Sequence, residues 1–80
     1  MVQKVSPRAQ AIAAQLKAEI AAATNAEYDS IPKVAKALDL EYTTFYRRVN
    51  GKLPLQLDLV FEVLDLLGVN ERQFWEHAID

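Results

Sequence analysis

The chain has 80 residues, of which 51% are hydrophobic and 25% charged, with two Gly and three Pro. A chain this short buries only about 60% of its unfolded surface, enough for one hydrophobic core and not for two, while its apolar content excludes a disordered polymer. The absence of Cys excludes disulfide frameworks and thiolate sites, and 9 basic against 11 acidic residues, a net charge of −2, speaks on its face against a nucleic-acid binder.

Ser6 followed by Pro7 reads as an N-cap and first helical position, since Ser accepts a bond from a free N–H and Pro has none to lose. Ala9, Ile12, Ala13, Leu16, Ile20 and Ala23 then recur at three- and four-residue steps, which predicts a helix over 7–23. Residues 1–6, with Lys4 among them, lack the apolar stretch of a secretory signal and are expected to form a flexible arm. Thr24 to Asp29 shows no period and reads as a loop. Asp29 or Ser30 caps a second helix over 31–38, which tolerates Pro32 in its first turn and buries Ile31, Val34, Ala35 and Leu38.

Asp39, Leu40 and Glu41 interrupt the pattern, and a third helix over 42–50 resumes it with Phe45 and Val49 one turn apart. Asn50-Gly51 ends that helix, because Gly adopts the left-handed conformation without steric cost. The alternation of Leu53, Leu55, Leu57 and Leu59 imitates a strand, but Pro54 would remove a ladder bond and helical spacing follows. A fourth helix is expected over 56–67, stopped by Gly68, with Leu57, Val60, Phe61, Val63, Leu64 and Leu67 facing the core. Asn70-Glu71-Arg72-Gln73 resembles a capping box that opens a fifth helix over 71–79. The expected fold is all-α, five helices in a single domain, 1–80. No run approaches the roughly 18 apolar residues of a membrane span, so a soluble cytoplasmic protein is expected.

Two short helices joined by a three-residue turn, with small Ala35 in the first and apolar Leu40 in the turn, describe a helix-turn-helix. Its continuation adds Phe45-x-Arg47-Arg48-Val49-Asn50-Gly51-Lys52, then Leu57-Asp58 and Leu64-x-x-Leu67-Gly68-Val69. Together these resemble the Cro/repressor-type (XRE-like) helix-turn-helix family, over nearly the whole chain. The Arg-Arg-x-Asn-Gly form is similar to that of actinobacterial regulators and their phages. One departure is Asp39, where the family usually has Gly; Asp tolerates the left-handed geometry better than most residues. The resemblance implies a lambda-repressor-like fold and sequence-specific binding of a double-stranded DNA operator by a small transcription regulator, a repressor of the Cro-like kind. It implies no cofactor and no small-molecule ligand.

Within that family the third helix lies in the major groove. Projected at about 100° per residue, Thr43, Tyr46, Arg47 and Asn50 fall opposite Phe45 and Val49, with Tyr42 at the border. Tyr42, Thr43, Tyr46 and Arg47 are therefore the candidate base contacts. Arg47 leads them, because a guanidinium can bond guanine O6 and N7 together. The tyrosines can stack on sugars or meet thymine methyls, or else pack half-buried in the ordinary way. Candidate phosphate contacts are Ser30, Lys33, Lys36, Thr44, Asn50 and Lys52, which flank the third helix. Arg48 projects away from Arg47, and two roles compete for it: a pairing with a carboxylate such as Glu62 or Glu76 over the core edge, or a phosphate contact.

The charge map reconciles the acidic total with this reading. Residues 33–52 carry Lys33, Lys36, Arg47, Arg48 and Lys52 against Asp39 and Glu41, a net +3, whereas residues 53–80 carry a net −5 and residues 1–32 none. A weakly acidic protein can thus present a positive face. Leu59 and Leu66 fall outside the core arc of the fourth helix and Trp75 lies at the edge of the fifth. They suggest a homodimer surface, the competing account being a monomer in which the first helix covers them. His77, the sole His, stands without nucleophile or metal partners, and no Gly-rich phosphate loop exists, so no enzyme and no metal site is expected. The competing function is a protein-interaction module of the same fold, such as an antirepressor or antitoxin domain.

Overall fold

A computed structural model describes residues 6–79. It consists of five helices: α1 (Pro7–Ala21), α2 (Ile31–Ala37), α3 (Tyr42–Val49), α4 (Leu57–Leu67) and α5 (Glu71–Ile79), with no strand among the described residues. The expected arm, residues 1–6, lies outside the described residues except for Ser6.

The starts of the helices follow from their caps. Ser6 Oγ accepts from the Ala9 N–H at 3.1 Å and Ser30 Oγ from the Lys33 N–H at 3.4 Å, each one turn ahead and each with Pro in the first turn. Asn70 Oδ1 accepts from the Gln73 N–H at 3.2 Å, which is the forward half of the expected capping box. α1, α2 and α3 end one or two residues earlier than the periodicity predicts, whereas α4 and α5 end where it does. α1 stops at Ala21 because the chain turns at Ala22 and then into an Asn25 side-chain turn, Oδ1 accepting from Glu27 N–H at 2.9 Å. Gln56, expected as helical, caps α4 without a side-chain bond.

α2, α3 and α4 all end in the same way. After α2 the Leu40 N–H donates to the Ala35 carbonyl at 2.8 Å and the Asp39 N–H to Lys36 at 3.2 Å, closing a left-handed cap with Asp39 at φ 56°. Gly51 at φ 75° does the same after α3, its successor Lys52 donating to Arg47 at 2.9 Å. Gly51 is also buried, and a Cβ there would stand 3.2 Å from Gln10 Cγ on α1.

α1 packs against α5 and also meets α2, α3 and α4, so its buried residues Ala13, Leu16 and Ile20 run through the centre of the molecule. The core joins Leu16, Ile20, Val34, Ala35, Phe45, Val49, Val60, Val63, Leu64 and Phe74. Two residues of α4 exchange their expected places. Leu57, assigned to the core arc, is 56% exposed, while Leu59, assigned to the surface, is only 8% exposed. Leu57 lies within about 20° of buried Leu64 on the helix wheel but stands in the first turn, where α4 begins, whereas Leu59 lies at the edge of the buried arc of Val60, Val63 and Leu64.

Candidate nucleic-acid interface

α3 is a short helix with two unlike faces. Phe45 and Val49 are fully buried in the core, whereas Tyr42, Thr43, Tyr46 and Arg47 are all exposed. The four candidate base contacts therefore share the outward side of one helix. Tyr42 is 46% exposed and Tyr46 43%, so each keeps a little under half of its surface open to solvent. Their rings lie 5.7 Å apart at 48°, one turn apart along the helix.

The start of this helix carries a residue that sequence reasoning missed. Glu41 is the N-cap of α3, its Oε2 accepting from the Thr44 N–H at 2.7 Å. The Thr44 hydroxyl and N–H, with Thr43 behind them, hold the Glu41 carboxyl below the ordinary glutamate range, opposed by desolvation. The positive end of the helix dipole favours the same charge. Glu is not among the preferred capping residues, so position alone gave no signal.

The flanking candidates divide. Lys36 and Lys52 are exposed. Lys33 is engaged within the chain: its ammonium donates to the Ala26 carbonyl at 2.7 Å and to Asp29 Oδ1 at 2.8 Å, tying the loop before α2 to its first turn. Ser30 Oγ accepts the capping bond, which leaves its hydroxyl proton to donate elsewhere. Asn50 is half-buried and doubly bonded. Its amide donates to the Tyr46 carbonyl at 2.7 Å and its Oδ1 accepts from Lys17 Nζ at 2.7 Å. Lys17, on α1, is the second residue missed; nothing local in the sequence marks a partner so distant in the chain. Thr44 turns from the outward face into a cavity of about 200 Å³ lined also by Leu40, Glu41, Phe45, Arg48 and Leu59.

Arg48 lines that same cavity, and its expected pairing with Glu62 or Glu76 is not made. The one ion pair among the described residues joins Lys33 and Asp29, and Arg48 Nε is buried without a hydrogen-bond partner. The half-buried arginine instead borders the cavity that Phe45 and Leu59 also line.

The three residues expected to form one dimer surface lie apart. Leu59 belongs to the core. Leu66 is half-buried beside Tyr28, Lys33 and Lys36 in a surface groove of about 680 Å³. Trp75 is half-buried, its ring set edge-on to Phe74 at 5.0 Å and to Phe61 at 6.4 Å. Among the described residues no His, Cys, Asp or Glu group is placed to hold a metal ion, and no helix is long and apolar enough to cross a membrane. Comparison with protein families, with curated proteins and with solved structures finds no match for this chain.

Proposed function

We propose that the chain is a lambda-repressor-like helix-turn-helix domain, with α2 and α3 as the motif, that binds double-stranded DNA sequence-specifically as a transcription regulator. The observation that carries this reading is the outward face of α3, where Arg47 stands exposed with Tyr42, Thr43 and Tyr46 while Phe45 and Val49 anchor the helix behind them. A helix held by its core face presents those side chains to a groove at little conformational cost. Lys36 and Lys52 supply phosphate contacts at its flanks, and Lys33 can exchange Asp29 for a phosphate at the same ammonium. A roughly two-fold operator calls for a homodimer, for which half-buried Trp75 on α5 remains the candidate. Selection of bound duplexes from a random pool tests the reading: one enriched motif is expected, and a pool that stays random overturns it.

A second reading, a protein-interaction module using the same face, draws on two observations. Lys33 and Asn50 are both engaged within the chain, and the α3 face offers two exposed tyrosines, residues that dominate protein interfaces. Salt separates the two readings, since counterion release makes DNA binding fall steeply as salt rises.

A further inference from the structure

Glu41 occupies the leading end of α3 beside Tyr42 and Thr43, all three exposed. Its bond to the Thr44 N–H fixes the direction of the carboxylate. An ionised carboxylate has about four lone-pair sites; the Thr44 N–H takes one and the Thr44 and Thr43 hydroxyls share in others, so this exposed carboxylate keeps part of its acceptor capacity for a partner outside the chain. It remains ionised through the neutral range, because its protonation is pushed to lower pH.

A group that can only accept is selective in a major groove. Guanine N7 and O6 and thymine O4 are acceptors and repel it; only the amino groups of cytosine and adenine donate. Adenine's amino group stands beside the N7 acceptor, whereas cytosine's stands beside a C–H edge, so cytosine is the base that suits a carboxylate. Phosphates repel it as well. Every base pair carries one amino group in the major groove, so a Glu at this end of the helix disfavours duplexes in which that group is not on the base it faces, which is specificity by a repulsive element.

We propose that Glu41 is a specificity residue that accepts from the cytosine N4 amino group at one position of the site and, through its charge, weakens binding to duplexes lacking it. The inference rests on the DNA-binding reading and adds a second base reader to Arg47. The two residues are six positions apart, about 9 Å along a helix, so they address different base pairs.

The test is selection from random duplexes with the parent, Glu41→Gln and Glu41→Ser, Ser being a strong cap that keeps the helix start without the charge. The parent is expected to enrich a cytosine about two to three base pairs from the position that Arg47→Ala randomises. Both Glu41 variants lose that cytosine preference by at least about fivefold. Both also bind random duplex at least about twofold tighter at low salt. Circular dichroism of Glu41→Ser matching the parent shows that the helix is intact. Retention of the cytosine by Glu41→Ser overturns the base-reading role and leaves Glu41 as a cap. Unchanged random-duplex affinity in both variants overturns the repulsive role. A parent that enriches no motif overturns this proposal together with the reading beneath it, so the two failures are told apart.

Discussion

Lys17 and Asn50, 33 residues apart in the chain, meet through a 2.7 Å hydrogen bond from the ammonium to Oδ1, and the Asn50 amide passes the connection on to the Tyr46 carbonyl. α1 is thereby bolted to the end of α3, the helix whose outward face carries the proposed contacts. Because the bond is exposed, its energy is small: a double-mutant cycle of Lys17→Met and Asn50→Ala should give a coupling of about 0.5 kcal/mol in urea unfolding. The single variant Lys17→Met should also weaken DNA binding, by removing a positive charge bonded to the end of α3 and loosening that helix. Additivity within error would mean that the bond is not populated in solution.

Asp39 holds φ 56° in the turn between α2 and α3. Glycine occupies that region without a Cβ penalty, though it loses more chain entropy on folding. Asp39→Gly should therefore stabilise by about 0.5 kcal/mol and raise Tm by about 2–4 °C, while Asp39→Val should lower it by more. Thermal unfolding followed by circular dichroism checks both signs. A destabilised glycine variant would show that the Asp side chain contributes more than its backbone strain removes.

Leu59, in the core, and Trp75, half-buried on α5, lead to opposite expectations. Leu59 is core, so Leu59→Ala should cost about 2–4 kcal/mol at any protein concentration. Trp75→Glu should leave the fold in place and convert a dimer to a monomer in sedimentation. Parent and variant sedimenting alike, both as monomers or both as dimers, would count against the proposed dimer edge.

Glu41 gives the domain a pH dependence with a definite sign. Its carboxyl is held lower in the folded chain than in the unfolded one, so its cap stabilises the fold above the unfolded value and that stabilisation is lost as pH falls through the folded value. Denaturant midpoints measured between about pH 5 and pH 3 should fall more steeply for the parent than for Glu41→Gln. Equal slopes would mean that the Thr44 N–H finds another acceptor.

What the sequence made legible was whatever depends on neighbours along the chain. The all-helical composition, the caps at Ser6, Ser30 and Asn70, the left-handed turns at Asp39, Gly51 and Gly68, and the division of α3 into a Phe45–Val49 side and a Tyr42, Thr43, Tyr46 and Arg47 side all arise within a few residues. Less legible was whatever depends on how the helices rotate against each other. A hydrophobic stripe wider than one face leaves the edges of the buried arc of α4 open: packing extends it to Leu59, while Leu57, on the face of buried Leu64, is exposed at the start of the helix. Arg48 and Lys17 were misjudged or missed for the same reason, since their surroundings come from other helices. Asn50 was placed on the outward face by its angle alone, and only the approach of α1 turns it to a structural role.

The central claim is that Arg47 on α3 reads a base, and the affinity ratio between a selected duplex and a random one, measured across salt concentrations, tests it most directly. For a dimer that neutralises about three phosphates per subunit, log K should fall against log salt with a slope of roughly −5. Arg47→Ala should bring the selected-to-random ratio down by at least about fivefold while leaving Lys52→Ala to weaken both duplexes alike. Equal binding of the selected and random duplexes by the parent, or an Arg47→Ala variant that keeps the parent's ratio, would contradict the account.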